Sequence, residues 1–142
     1  MDDSLNDSWL IVEKTDIGKS IDNYKSFDHE ALEQLAASHN CELIVAGQDQ
    51  LVIDLDTPES IEQFNTMIPF VSANYMCERI EEWKSKSGKG EHRLITLELL
   101  LPRATKVALQ TILGSDPKLE LLNLKDIETG NSLPFCLFKP IL

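Results

Sequence analysis

Two short stretches of this 142-residue chain carry the side chains best suited to chemistry. The first is "LVIDLD", Leu51 to Asp56, an apolar run that ends in two carboxylates one residue apart. Side chains alternate across a strand, so Asp54 and Asp56 share a face with Val52, while Leu51, Ile53 and Leu55 share the other. Carboxylates this close repel unless a proton or a cation lies between them. Mg²⁺ is held by one or two carboxylates together with substrate phosphates, which makes the pair a candidate site for Mg²⁺ or Mn²⁺. The plain alternative is a strand end followed by a helix-entry turn, Asp56-Thr57-Pro58.

The second stretch is "KSGKGEHRLITL", Lys86 to Leu97. Ser87, Gly88 and Gly90 let backbone N–H groups approach an anion closely, and Lys86, Lys89 and Arg93 add positive charge. A triphosphate suits such a loop, although the glycines read equally as the turn of a solvated hairpin. The stretch does not fit the G-x-x-x-x-G-K-[ST] phosphate-binding pattern. In the strand that follows, His92, Leu94, Thr96 and Glu98 share a face. A matching register puts His92 beside the aspartates.

The elements that must position these residues are legible from periodicity and punctuation. A helix is predicted over 28–40, capped by Asp28 and ended by Asn40, and "CELIVAG" follows as a strand. "WLIVEK" near the N-terminus reads as a further short strand. From residue 51 the order is strand, helix, strand, strand, helix and last strand. The first helix starts at Thr57-Pro58 and is expected to end at Pro69. "PRATKVALQTILG" is a helix closed by Gly114, and Asp116-Pro117 opens an additional helix before the final strand "LPFCLFK". The fold class predicted is α+β. A ferredoxin-like, RRM-like β-α-β-β-α-β core spans about 51–139, an N-terminal α/β extension spans 1–50, and the whole of 1–142 forms a single domain. In that topology "LVIDLD" and "HRLITLEL" are central neighbours, and the helices leave one sheet face available for a ligand.

Together the two stretches resemble the archaeo-eukaryotic primase, or primase-polymerase, superfamily: a hydrophobic strand ending in D-x-D, then a small-residue S-G-x-G-x-H loop entering a strand. The resemblance covers 51 to about 138. It implies Asp54 and Asp56 as catalytic metal ligands, Ser87 and His92 as nucleotide contacts, and Mg²⁺ or Mn²⁺ with a nucleoside triphosphate. The family's third acidic motif corresponds to Asp116, with Glu98 as the fallback, although Ser115-Asp116-Pro117 is also a helix cap. The run from Ala108 to Phe138 is similar to small phage-encoded proteins with the same two motifs. That implies nucleotidyl or phosphoryl transfer in phage DNA replication and a cytoplasmic location in a bacterial host.

Composition restricts the partners. The net charge is −11, with 18 acids against 4 bases in residues 1–82 and 6 against 9 in residues 83–142. Phosphate affinity comes from lysine and arginine, so strong nonspecific DNA binding is not expected. Weak contact with single-stranded nucleic acid is confined to the basic 84–93 loop. The acidic half offers a surface for a basic protein partner, and a non-catalytic interaction or nucleotide-sensing role is the second reading. Cys41, Cys77 and Cys136 are odd in number and widely spaced, which fits reduced thiols better than a disulfide framework. The acidic start is not expected to act as a secretory signal, and no apolar run reaches the roughly 18 residues of a membrane span.

Overall fold

The computed structural model of the chain describes residues 29–130 and 135–141. The "WLIVEK" strand and the Asp28 cap lie outside the described residues. The elements are α1 (His29–Ser38), β1 (Cys41–Val45), β2 (Gln50–Leu55), α2 (Pro58–Tyr75), β3 (Cys77–Lys84), β4 (Glu91–Leu97), α3 (Arg103–Ile112), α4 (Pro117–Glu128) and β5 (Cys136–Pro140). The protein is α+β, with two small antiparallel sheets.

The larger sheet has the strand order β2-β4-β3, so "LVIDLD" and "HRLITL" are indeed neighbours. Its two faces follow from strand alternation. Leu51, Ile53, Leu55, Ile95 and Leu97 pack beneath Phe64 and Val71 of α2 and Leu109 and Leu113 at the end of α3. Val52 and Leu94, on the opposite face, pack against Phe135 and Leu137. The face expected to stay open for a ligand is therefore covered. Its apolar residues need burial as much as those beneath the helices, and the β5 segment supplies it.

The last strand also departs from a four-stranded ferredoxin-like sheet, because β5 pairs antiparallel with β1. The outer edge of β2 is already occupied. Val52 N–H donates to Gln110 Oε1 at 2.9 Å, and Asp54 N–H donates to Ser115 Oγ at 3.0 Å. The Asp116 N–H donates in turn to the Asp54 carbonyl at 2.8 Å. Groups on α3 and the α3–α4 turn thus satisfy donors and acceptors that a further strand would otherwise bind.

Local chemistry sets the helix ends. Thr57 and Ser60 form a capping box at the start of α2, with Pro58 in the first turn. Pro69 does not end this helix, which runs on to Tyr75. Proline removes one N–H, and the carbonyl it would have served belongs to exposed Asn65, where water can bind it. Termination falls instead at Met76, whose φ of 54° is left-handed. Asn40 closes α1 in the same way, with φ 58°.

The three cysteines are free thiols, and burial pushes Cys136 up to about 12. Among the described residues no helix is long and apolar enough to cross a membrane.

Candidate metal centre

Three carboxylates from two distant segments meet at one end of β2. Asp54, Asp56 and Asp116 each place a ligand oxygen within 4.8 Å of the others. Asp54 is the penultimate residue of β2 and is buried, Asp56 follows the strand and is exposed, and Asp116 is buried as the N-cap of α4. Strand alternation accounts for the first two. The third arrives because the Asp116 N–H is bonded to the Asp54 carbonyl, as described above.

Two close approaches hold the segments together. Gly114 has φ +92°, and a Cβ there would lie 2.7 Å from the Ser60 carbonyl, so only glycine lets the α3–α4 turn sit against the start of α2. Gly90 packs on the opposite side, where a Cβ would lie 2.8 Å from the Leu55 carbonyl and 3.2 Å from Asp56 Oδ1. The glycine loop is thereby pinned to the D-x-D segment.

Crowding perturbs the acids. Partial desolvation, then repulsion from Asp54 and Asp116 and hydrogen bonding to both, raises the Asp56 carboxyl to about 8. Asp54 Oδ1 is buried without a hydrogen-bond partner, and His92 Nε2 lies 3.3 Å from it. Asp116 Oδ1 accepts from the Lys118 N–H at 3.1 Å. The starts of α2 and α4 both lie beside the cluster, and helix N-termini favour negative charge. These features fit a hard divalent cation. Three carboxylate oxygens suit Mg²⁺ or Mn²⁺, and the set contains no thiolate to favour zinc. A groove of about 460 Å³ adjoins the cluster, lined by Thr57, Ser60, Gln63, Thr111, Gly114 and Ser115 among others.

His92 lies directly opposite Asp54 in the β2–β4 register, and Trp83 lies opposite His92 in the β3–β4 register. The three side chains form a row across one face. His92 is only 1% exposed, and its Nδ1 lies 3.1 Å from the Phe138 carbonyl. Trp83 Nε1–H donates to the same oxygen at 3.0 Å, and the two rings meet edge to face.

The basic loop is built differently from its sequence expectation. The N–H groups of Gly88, Lys89 and Gly90 donate to the Ser85 carbonyl, Ser87 Oγ and Ser85 Oγ respectively, so the turn uses its own amides. Lys86 and Lys89 are exposed. Arg93, one residue past His92, projects to the other face, over the Phe64 ring at 4.5 Å, with Glu91 and Glu82 as ion-pair partners. The structure therefore brings Asp54, Asp56, Asp116 and His92 together, and it separates Arg93 from the exposed loop lysines. Glu98, the alternative third acid, is exposed beyond the end of β4 and is not part of the cluster.

Sequence reasoning missed the support behind the acids. Glu120 Oε1 accepts from Gln110 Nε2 at 2.8 Å and from Asn123 Nδ2 at 3.3 Å, and Gln110 in turn holds Val52. Burial raises the Glu120 carboxyl to about 7, against the pull of hydrogen bonds from Ser115, Gln110 and Asn123. A signal existed: Lys106 and Gln110, four residues apart, lie among the apolar positions of α3, where buried polar groups need partners. Lys106 donates to the Gly47 carbonyl at 2.8 Å.

Comparison with protein-family models, curated proteins and solved structures finds no match to this chain.

Proposed function

We propose that the protein binds Mg²⁺ or Mn²⁺ on Asp54, Asp56 and Asp116 and a nucleoside triphosphate beside it, as a primase-polymerase-like domain of nucleotidyl or phosphoryl transfer. The observation that carries this reading is the convergence of three carboxylates from β2 and the α3–α4 turn on one point, one of them strongly disfavoured as an anion. When bound, such a cation neutralises phosphate charge and stabilises the charge that develops during transfer. Asp54, Asp56 and Asp116 would hold it, and Lys86 and Lys89 would draw the phosphates by long-range attraction. In this reading the segment from β2 to β5 is a ferredoxin-like unit whose fourth strand has been displaced from the sheet edge. The host setting is the cytoplasm, with a phage source implied by the sequence resemblance.

Binding is favoured over template-directed synthesis because the net charge of −11 leaves little surface to grip a nucleic acid. A nucleotide-sensing role on the same site is the corresponding second reading.

Calorimetry with Mn²⁺ and ATP tests the proposal. ATP binding should depend on the cation and be lost in Asp54→Asn and Asp56→Asn. Equal ATP binding by these variants and the parent chain would remove the proposal, whereas cation-dependent binding without turnover selects the sensing role.

A further inference from the structure

From the groove beside the acids, between the start of α2 and the α3–α4 turn, we infer that the site seats the ribose of a ribonucleoside triphosphate, with Glu59 and Gln63 accepting hydrogen bonds from the sugar hydroxyls. The inference rests on the cation and nucleotide reading of the three acids. It names the part of the ligand that the cluster itself does not hold.

The groove continues the cluster along the chain. Thr57 follows Asp56, and Ser115 and Pro117 flank Asp116, so its near end opens beside the carboxylates. Asp54 Oδ1, buried without a hydrogen-bond partner, marks that end as the place for the cation. The far end lies at Gln63, about 9 Å further along α2 at 1.5 Å per residue. A volume of about 460 Å³ falls within the span of small-molecule sites, about 300–1,000 Å³. Both walls are fixed. Gln63 Nε2 donates to the Ile112 carbonyl at 2.9 Å and to the Thr111 carbonyl at 3.4 Å, and Gly114 lets the turn rest on the Ser60 carbonyl.

The lining decides what fits. Among the described residues that line the groove none is cationic or aromatic, so it neither attracts phosphate nor stacks a base. Its hydroxyls are engaged within the fold: Thr57 and Ser60 in the capping box, Thr111 with the Val107 carbonyl and Ser115 with the Asp54 N–H. The side-chain groups that remain are the Glu59 carboxylate and Gln63 Oε1, and both only accept. Such a pair repels phosphate oxygens and suits a neutral partner rich in O–H donors, which a ribose is. Phosphates held at the acids place the adjoining sugar at the near end of the groove.

Calorimetry with Mn²⁺ present tests this on the full chain, on Glu59→Ala and on Thr111→Leu, both at exposed positions. The ligands are ATP, its dideoxy analogue lacking both sugar hydroxyls, and inorganic tripolyphosphate, which reports the cation site alone. The parent should prefer ATP to the dideoxy analogue by about tenfold, the effect of one hydrogen bond to a charged acceptor. Glu59→Ala should lose most of that preference, a ratio in which the change of charge cancels. Thr111→Leu, which fills the groove, should weaken ATP by about tenfold or more and leave tripolyphosphate at the parental affinity. Equal binding of ATP and its dideoxy analogue by the parent overturns the inference. So does a preference that survives both substitutions, since the nucleoside then lies elsewhere. Absence of any Mn²⁺-dependent binding, tripolyphosphate included, is a different failure, because it removes the cation site and the proposed function with it.

Discussion

The backbone N–H of Asp116 donates to the carbonyl of Asp54 across 2.8 Å, joining the start of α4 to the edge of β2. One hydrogen bond thus serves two ends. It satisfies a strand-edge carbonyl, and it delivers the third carboxylate to the pair that the strand already carries. Assembly of the acidic cluster and protection of the sheet edge are the same structural event.

Asp116 has two separable roles. Asparagine is as good an N-cap as aspartate, so Asp116→Asn should keep the stability of α4 while losing most Mn²⁺ affinity. Asp116→Ala should lose the affinity and also about 1 kcal/mol of stability. Urea denaturation beside Mn²⁺ titration checks both, and equal stability of the two variants would disprove the capping role.

The pH response of the cation-free protein follows from its raised carboxyls. Asp56 rises to about 8 and Glu120 to about 7, against ordinary values near 4. A carboxyl raised by folding contributes stability that is complete below its unfolded value and is lost as pH climbs through the folded value. Thermal midpoints measured in chelator should therefore fall from about pH 4.5 to pH 8. Lys106, lowered to about 8 chiefly by burial, has the opposite sign. Its contribution is complete above the unfolded lysine value and is lost as pH falls toward 8, so it opposes the trend only on the alkaline side. Saturating Mn²⁺ should flatten the acid-to-neutral limb. A chelated protein that gains stability over that range would contradict the raised carboxyls of Asp56 and Glu120.

Gly90 and Gly88 should respond very differently to alanine. At Gly90 the new Cβ meets the Leu55 carbonyl at 2.8 Å and Asp56 Oδ1 at 3.2 Å, so the loop must move off the acids. Gly90→Ala should cost about 1–3 kcal/mol and weaken Mn²⁺ binding. At Gly88 no atom lies within 4 Å of a Cβ, and only the φ of +77° opposes it. Gly88→Ala should cost about 1 kcal/mol and leave Mn²⁺ affinity unchanged. Thermal melts and Mn²⁺ titrations of the pair decide this.

Gln110→Leu fills the same space but abandons both ends of a buried amide. The Val52 N–H and one acceptor position on Glu120 then lose their partner, at about 1–3 kcal/mol for each unsatisfied group. The predicted outcome is a loss of several kcal/mol in urea denaturation with the β2 edge exposed to self-association. Retained stability would show that water replaces the amide there.

Lys86 and Lys89 test the electrostatic part of the proposed function. The double alanine variant should bind ATP more weakly at low salt, converge with the parent as salt rises, and bind Mn²⁺ normally. A salt-independent effect would point away from long-range attraction.

Much of the architecture is legible in local sequence. Alternation marks β2 and β4, Thr57-Pro58 and Asp116-Pro117 mark two helix starts, and Gly114 marks a helix end. The D-x-D spacing also places Asp54 and Asp56 near each other wherever the strand lies. Pro69 misleads because the ring's missing hydrogen bond falls on the solvated side of α2, where its loss can be met by water. The glycine loop misleads for a related reason: the backbone donors it offers to an anion are used within the turn itself.

By itself, then, the sequence determines which residues alternate, cap and turn, since these depend on neighbours a few positions away. It also sets the supply of carboxylates and cations. Only the tertiary structure decides that β5 covers the face beside His92, that Gln110 and Ser115 take the edge of β2, and that Asp116 joins acids some sixty residues earlier in the chain. Those outcomes are competitions among distant groups for the same backbone donors and the same apolar surface. Their winner depends on the packing of the whole fold.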